Sequence, residues 1–262
     1  MNRIEKLFIN KTRNILSVYF TAGYPYRDSA PGIIKELESA GTDMIEIGVP
    51  FSDPMADGPV IQHSNSIALN NGMSLKLLFR QLRDIRKEVD IPLIIMSYFN
   101  PVLSFGMANF CQSCEKAGID GAIIPDLPPE KYSLEYKSLF RHHGLKNTLM
   151  ISPQTDKNRI REIDKLSSGF IYMVSSSSTT GIKKGFSQDQ IRYFSRVKKM
   201  KLNNPALIGF GISDNYTFRQ VCNYADGAII GSAFVKMLGE KGTGNNPIRN
   251  FINLIKTNIS DY

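Results

Sequence analysis

Short apolar runs recur along this chain with stretches of helical period between them. The runs are Ile15–Thr21, Asp43–Ile47, Pro92–Tyr98, Ile119–Pro125, Asn147–Ser152, Gly169–Ser175, Ala206–Gly209 and Asp226–Ile230. Their length and β-branched or aromatic content predict eight strands. Helical spacing is carried by Asp28–Ala40, Ser74–Val89, Ser104–Ala117, Pro128–His143, Lys157–Leu166, Ser187–Lys201 and Asp214–Cys222, with Pro247–Ile259 as a last helix. Ahead of the first strand, Ile4, Leu7 and Phe8 stand at helical spacing and predict a short docking helix. Strands alternating with helices over 262 residues predict an α/β fold, a single (β/α)8 TIM-barrel domain covering 1–262 with an extra N-terminal helix. An open doubly wound sheet fits the same hydrophobic pattern. The barrel is favoured because Glu46, Tyr98, Asn100, Asp126, Ser175, Gly211 and Ser232 fall at or just past strand C-termini. That is the face on which barrel enzymes do their chemistry.

The second strand runs into the most unusual stretch, Met44 to Gln62, reading MIEIGVPFSDPMADGPVIQ. Alternation puts Met44 and Glu46 on one face of the strand and Ile45 and Ile47 on the other. A carboxylate on an apolar strand costs several kcal/mol unless it is paired, hydrogen-bonded or protonated. It is either a general acid/base at the mouth of the sheet or a buried structural ion pair. The loop beyond, stiffened by Pro50, Pro54 and Pro59, carries two more carboxylates, Asp53 and Asp57.

Charge and cysteine content narrow the function classes. The net charge of +8 admits an anionic partner. Lys and Arg are nevertheless interspersed with acids, as on a solvated helix face, and no nucleic-acid motif accompanies them. An anionic small substrate fits at least as well. Three cysteines, Cys111, Cys114 and Cys222, are an odd and low count that argues for a reducing compartment. The CxxC of Cys111 and Cys114 lies in a helical segment without a second pair or a nearby histidine, so it reads as packing, and no metal is expected. The expected location is cytoplasmic, or the plastid stroma if the chain is organelle-encoded.

Three glycine-bearing loops follow the last three strands: Ser175–Phe186 with Thr180 and Gly181 inside it, Gly209–Ser213, and Gly231-Ser232 opening a helix through Leu238. Glycines let a phosphate approach the backbone, and a helix N-terminus offers unpaired N–H groups. Ser232 is a good N-cap residue. Loops seven and eight together predict a phosphate site, and the polar loop after the sixth strand reads as a lid or as an ordinary connection.

Ile45 to Gln62 closely resembles the signature of the tryptophan synthase α chain family. The resemblance extends through FTAGYP at Phe20–Pro25, AGIDGAIIPDLP at Ala117–Pro128, GFGIS at Gly209–Ser213 and ADGAIIGSA at Ala225–Ala233. It implies cleavage of indole-3-glycerol phosphate to indole and glyceraldehyde 3-phosphate, the indole passing to a β chain for the last step of tryptophan biosynthesis. The resemblance puts the catalytic carboxylates at Glu46 and Asp57, the phosphate cradle at Gly181, Gly211, Gly231 and Ser232, and the lid at Thr180. It puts the indole pocket at Tyr19, Tyr98 and Tyr172 and the partner contact at Asp53. It implies no cofactor in this chain, pyridoxal phosphate in the partner β chain, and an α2β2 tetramer. The lid sequence SSSSTTG departs from the commonest bacterial pattern, which carries an arginine and a glycine before the final Thr-Gly.

Apolar neighbours predict a raised pKa for Glu46, the proton shuttle, whereas Asp57 on a polar loop is expected to stay ionised. The rival readings are another phosphate-binding barrel enzyme, a stand-alone indole-releasing lyase, and a silent subunit that only activates its partner.

Overall fold

The computed structural model describes residues 1–175 and 185–257. The strands are β1 (Ile15–Thr21), β2 (Met44–Gly48), β3 (Leu93–Met96), β4 (Gly121–Ile123), β5 (Lys146–Ile151), β6 (Ile171–Val174), β7 (Ala206–Gly209) and β8 (Gly227–Ile230). All pair in parallel with their sequence neighbours, and β8 closes on β1. The sheet is therefore a closed barrel, and the doubly wound alternative is excluded.

The helices are α1 (Arg3–Asn10), α2 (Ala30–Ser39), α3 (Pro59–Asn70), α4 (Leu75–Gln81), α5 (Phe99–Phe105), α6 (Met107–Ala117), α7 (Pro129–Lys131), α8 (Lys137–His142), α9 (Lys157–Leu166), α10 (Gln188–Lys199), α11 (Asn215–Cys222), α12 (Ser232–Lys241) and α13 (Asn245–Lys256). A wide turn over Tyr132–Tyr136 joins α7 to α8, so this stretch is helical throughout, as the spacing predicts.

Four differences from the predicted elements have local causes. Helix α3 is absent from the sequence prediction. It begins at Pro59, a residue suited to a first helical position, but its buried face includes Ser64 and Asn65 and so lacks an apolar stripe. The predicted Ser74–Val89 helix is α4 followed by a separate 3₁₀ turn at Ile85–Lys87. The predicted helix from Ser104 is instead α5 and α6, broken at Gly106, whose φ of +88° no regular helix accepts. At the last loop the N-cap is Gly231, and Ser232 is the first helical residue, not the cap.

Two apolar layers result. Odd positions of β2, Ile45 and Ile47, join the layer between sheet and helices. Even positions point inward: Met44 packs with Ile4, Ile15, Ile94, Ile123, Phe170, Leu207 and Ile229 in the barrel interior. Ile4 reaches that layer from α1, which covers the N-terminal end of the barrel, and Gly121 leaves room for it. An Asn2/Glu5 capping box starts α1, and Asp120 binds it to the barrel through Arg3 at 3.2 Å. Buried Asp120 also accepts from Arg86 and from the Leu93 N–H. The N-terminal face is thus held by ion pairs, leaving the C-terminal face for chemistry.

Candidate active site

Alternation along β2 carries the side chain of Glu46 into the barrel, where it is 0% exposed. Its register partners are Tyr19 on β1 and Ile94 on β3. Oε1 accepts a hydrogen bond from the Ser17 hydroxyl at 2.9 Å. Oε2 is buried and has no hydrogen-bond partner among the described residues. Desolvation pushes the carboxyl up to about 8, against a smaller lowering by Ser17. Near neutrality Glu46 therefore holds a proton. The ion-pair alternative fails, since no basic side chain reaches it among the described residues.

Asp57 comes over the mouth of the barrel from the proline-stiffened loop between β2 and α3. Its carboxylate accepts from the Tyr98 hydroxyl at 3.2 Å, and that hydroxyl in turn accepts from the Ala56 N–H at 3.1 Å. Gln62 donates to the Asp57 carbonyl at 2.9 Å. The surroundings of Asp57 are less polar than the loop's composition suggests. Desolvation raises Asp57 to about 6, with Tyr98 opposing it. At neutral pH it is still mainly ionised, so the two carboxyls occupy opposite protonation states.

Two of the three predicted tyrosines line one small cavity, and the third stands deeper in the barrel. Tyr19, Asp57, Asn65 and Tyr98 border one small cavity with Val49, Met96, Ser97 and Pro125. Tyr172 stands inside the barrel, its phenol pushed up by burial first and then by the charges of Glu46 and Asp57. Two strand-end glycines make the room: a Cβ at Gly48 would meet the Tyr19 hydroxyl at 2.1 Å, and one at Gly209 the Tyr172 hydroxyl at 2.4 Å. Thr21 lies close to both the Tyr19 hydroxyl, at 3.4 Å, and the Ser64 hydroxyl of α3, at 2.7 Å.

On the opposite rim, Phe210 and Gly211 both adopt positive φ, +70° and +76°. A non-glycine residue in that region marks backbone strain of the kind stored at functional sites. The Ser175 hydroxyl donates to the Phe210 carbonyl at 2.7 Å and pins this turn. Gly231 lies beside Tyr19, its absent Cβ 3.4 Å from the ring, and leads into α12 with Ser232. The N-terminus of α12 and the turn after β7 thus open on the same mouth as the carboxyls. Thr180 and Gly181 lie outside the described residues. Asp53 is exposed on the loop after β2, as is Met55 at 90% exposure.

The sequence reading passed over Ser17, Thr21, Ser64 and the role of Gly48 and Gly209. A signal for Ser17 was present: it has the same strand parity as Tyr19, and so the same inward face. Asp126, which stands past a strand end, is structural, accepting the Phe99 N–H at 2.7 Å at the head of α5.

A family model described as tryptophan synthase alpha chain matches residues 6–259. The tryptophan synthase alpha chain of Flavobacterium psychrophilum is 55% identical over 245 residues, covering 94% of this chain and 96% of that one. That of Christiangramia forsetii is 53% identical over 256 residues, covering 98% and 99%. Among solved structures, tryptophan synthase from M. tuberculosis in its aminoacrylate-bound form superposes with a TM-score of 0.85 at 28% identity, covering 97% of this chain and 98% of that one. A tryptophan synthase complex from Pyrococcus furiosus gives 0.84 at 31% identity, covering 94% and 98%. With a matched model over nearly the whole length and relatives more than half identical, the chain belongs to the tryptophan synthase α chain family.

Proposed function

We propose that this chain is the α subunit of a tryptophan synthase, which splits indole-3-glycerol phosphate into indole and glyceraldehyde 3-phosphate, with Glu46 and Asp57 as its catalytic residues. One observation carries the residue assignment: two desolvated carboxyls, both acting on Tyr19 and Tyr172, are themselves raised, one to about 8 and the other to about 6. At pH 7 that gives an acid and an anion around the same pair of tyrosines.

Each has a step to perform. Glu46 gives its proton to the indole carbon that carries the side chain, leaving positive charge on the ring nitrogen. The Asp57 carboxylate stabilises that charge in a site of low dielectric. Glu46, now a carboxylate, takes the proton of the side-chain hydroxyl. The oxygen's electron pair forms the aldehyde carbonyl, the carbon–carbon bond breaks, and its electrons restore the indole. Glu46 ends protonated, as it began. Proton transfer by a positioned group contributes about 10² to 10⁴-fold.

The substrate phosphate is held by Gly181, Gly211, Gly231 and Ser232, the last three supported by the strained turn and the α12 N-terminus, and Thr180 is assigned to the lid. Fixing this remote group holds the reacting carbon in place. Tyr19, Tyr98 and Tyr172 flank the indole ring. Asp53, exposed on the loop after β2, meets the β chain. The assembly is an α2β2 tetramer in the cytoplasm, residues 1–262 act as one domain, and pyridoxal phosphate belongs to the β partner.

The test is indole release from indole-3-glycerol phosphate by the purified chain, with and without a β chain from the same source. Weak release that rises sharply with the β chain is expected. Equal, strong release in both would make the protein a stand-alone lyase, and none in either, from folded protein, would reject the activity.

A further inference from the structure

The interior of a TIM barrel is normally filled with bulky apolar side chains. Here the deep layer is Ile4, Ile15, Met44, Ile94, Ile123, Phe170, Leu207 and Ile229. Ser17 interrupts it. Its hydroxyl is fully buried, and the hydrogen bond it makes there, among the described residues, goes to Glu46 Oε1 at 2.9 Å. A hydroxyl removed from water without a partner is destabilising, so this bond is what makes Ser17 tolerable at that depth. The register adds direction. Ser17 pairs with Met44, and Tyr19, one inward position further up β1, pairs with Glu46. The Ser17 hydroxyl therefore grips Glu46 diagonally from the closed side of the barrel and leaves Oε2 as the oxygen without a protein partner among the described residues.

We propose that Ser17 is a positioning residue for the cleavage: it holds Glu46 by Oε1, so that Oε2 is the oxygen that gives and takes the proton. This rests on the assignment of Glu46 as the acid/base group.

The titratable groups shown to feel the charge of Glu46 are Tyr19 from β1 and Tyr172 from β6; Asp57 acts on the same two tyrosines and Tyr98 on Tyr19. None of them is a cation at neutral pH. Ser17 is thus the polar group that favours the charged form of Glu46, against desolvation. Removing it leaves desolvation unopposed. The Glu46 pKa rises, and with it the alkaline limb of the rate profile, by about one unit, the scale of one hydrogen bond to a carboxylate. Loss of orientation lowers kcat by about tenfold, while KM, set by the phosphate and ring, stays within about twofold.

The experiment uses the α chain with its β partner and compares wild type, Ser17→Ala, Ser17→Thr and Glu46→Gln. Indole release is followed against pH. In parallel, the Glu46 carboxyl is titrated by carbon NMR in glutamate-labelled α chain, its signal identified by loss in Glu46→Gln. The expected result is an upward shift of both the NMR titration and the alkaline limb in Ser17→Ala, with kcat reduced, and a return towards wild type in Ser17→Thr, which keeps the hydroxyl. An unshifted titration in folded Ser17→Ala overturns the proposal. So does a fall in kcat with no movement of the alkaline limb, which would make Ser17 a packing residue. If Glu46→Gln cleaves normally, the acid/base assignment fails instead, and the NMR shift in Ser17→Ala still reports separately whether the hydroxyl holds the carboxyl.

Discussion

Residue by residue, the proposed mechanism depends on two like groups set in unlike surroundings. Glu46 has apolar neighbours and one hydroxyl; Asp57 has a loop, a tyrosine and partial access to water. With Glu46 needed protonated and Asp57 ionised, kcat should follow a bell bounded by pKa values of about 6 and about 8. A rate that keeps rising above pH 9 would contradict the acid role of Glu46. The same burial has a cost in stability. The folded chain keeps a proton on Glu46 that the unfolded chain loses near 4.5. The native state therefore binds more protons between about pH 4.5 and about 8, and stability falls as pH rises through that window. Glu46→Gln, neutral at all pH, should be the more stable protein at pH 8 by a few kcal/mol and close to wild type at pH 4. Denaturant titrations at the two pH values read the difference directly. Glu46 stood out in the sequence because an acid on an apolar strand is costly to keep, whereas Asp57 was marked out by the resemblance of its loop. The raised pKa of Asp57 was not visible, because it depends on how far Tyr98 and the barrel mouth cover the loop.

At the level of elements, the eight strands and most helices were legible because their apolar spacing is regular. What escaped were elements whose inward face is polar or whose ends are fixed by backbone geometry. Helix α3 is the clearest case: it buries Ser64 and Asn65 towards the site, so the signal that marks other helices is missing. The break between α5 and α6 turns on one glycine dihedral. Gly48 and Gly209 look like ordinary strand ends, yet each makes room for a tyrosine ring, Tyr19 and Tyr172. Helix α1, predicted as a docking helix, serves as the floor of the barrel through Ile4. Ile4→Ala should destabilise the chain by about 2 to 5 kcal/mol, the usual range for emptying a packed isoleucine site, as measured by urea unfolding. A loss below about 0.5 kcal/mol would mean that α1 frays from the barrel in solution.

For the molecule as a whole, the division of labour follows the two ends of the barrel. Ion pairs around Asp120 and the α1 plug hold the N-terminal end; carboxyls, tyrosines and the glycine turns crowd the C-terminal end. The net charge of +8 suits a phosphorylated substrate better than a nucleic acid, because the cations are spread over helix faces. Some of them are engaged within the fold: Arg196 donates to the Pro153 and Thr155 carbonyls and lies over the Tyr193 ring. The central claim, that Glu46 carries the proton in indole-3-glycerol phosphate cleavage, is tested most directly by indole release from folded Glu46→Gln beside wild type, each bound to the β chain at pH 7. A fall of at least about 10² in kcat, with KM little changed, is the predicted result; turnover within a few fold of wild type would contradict it.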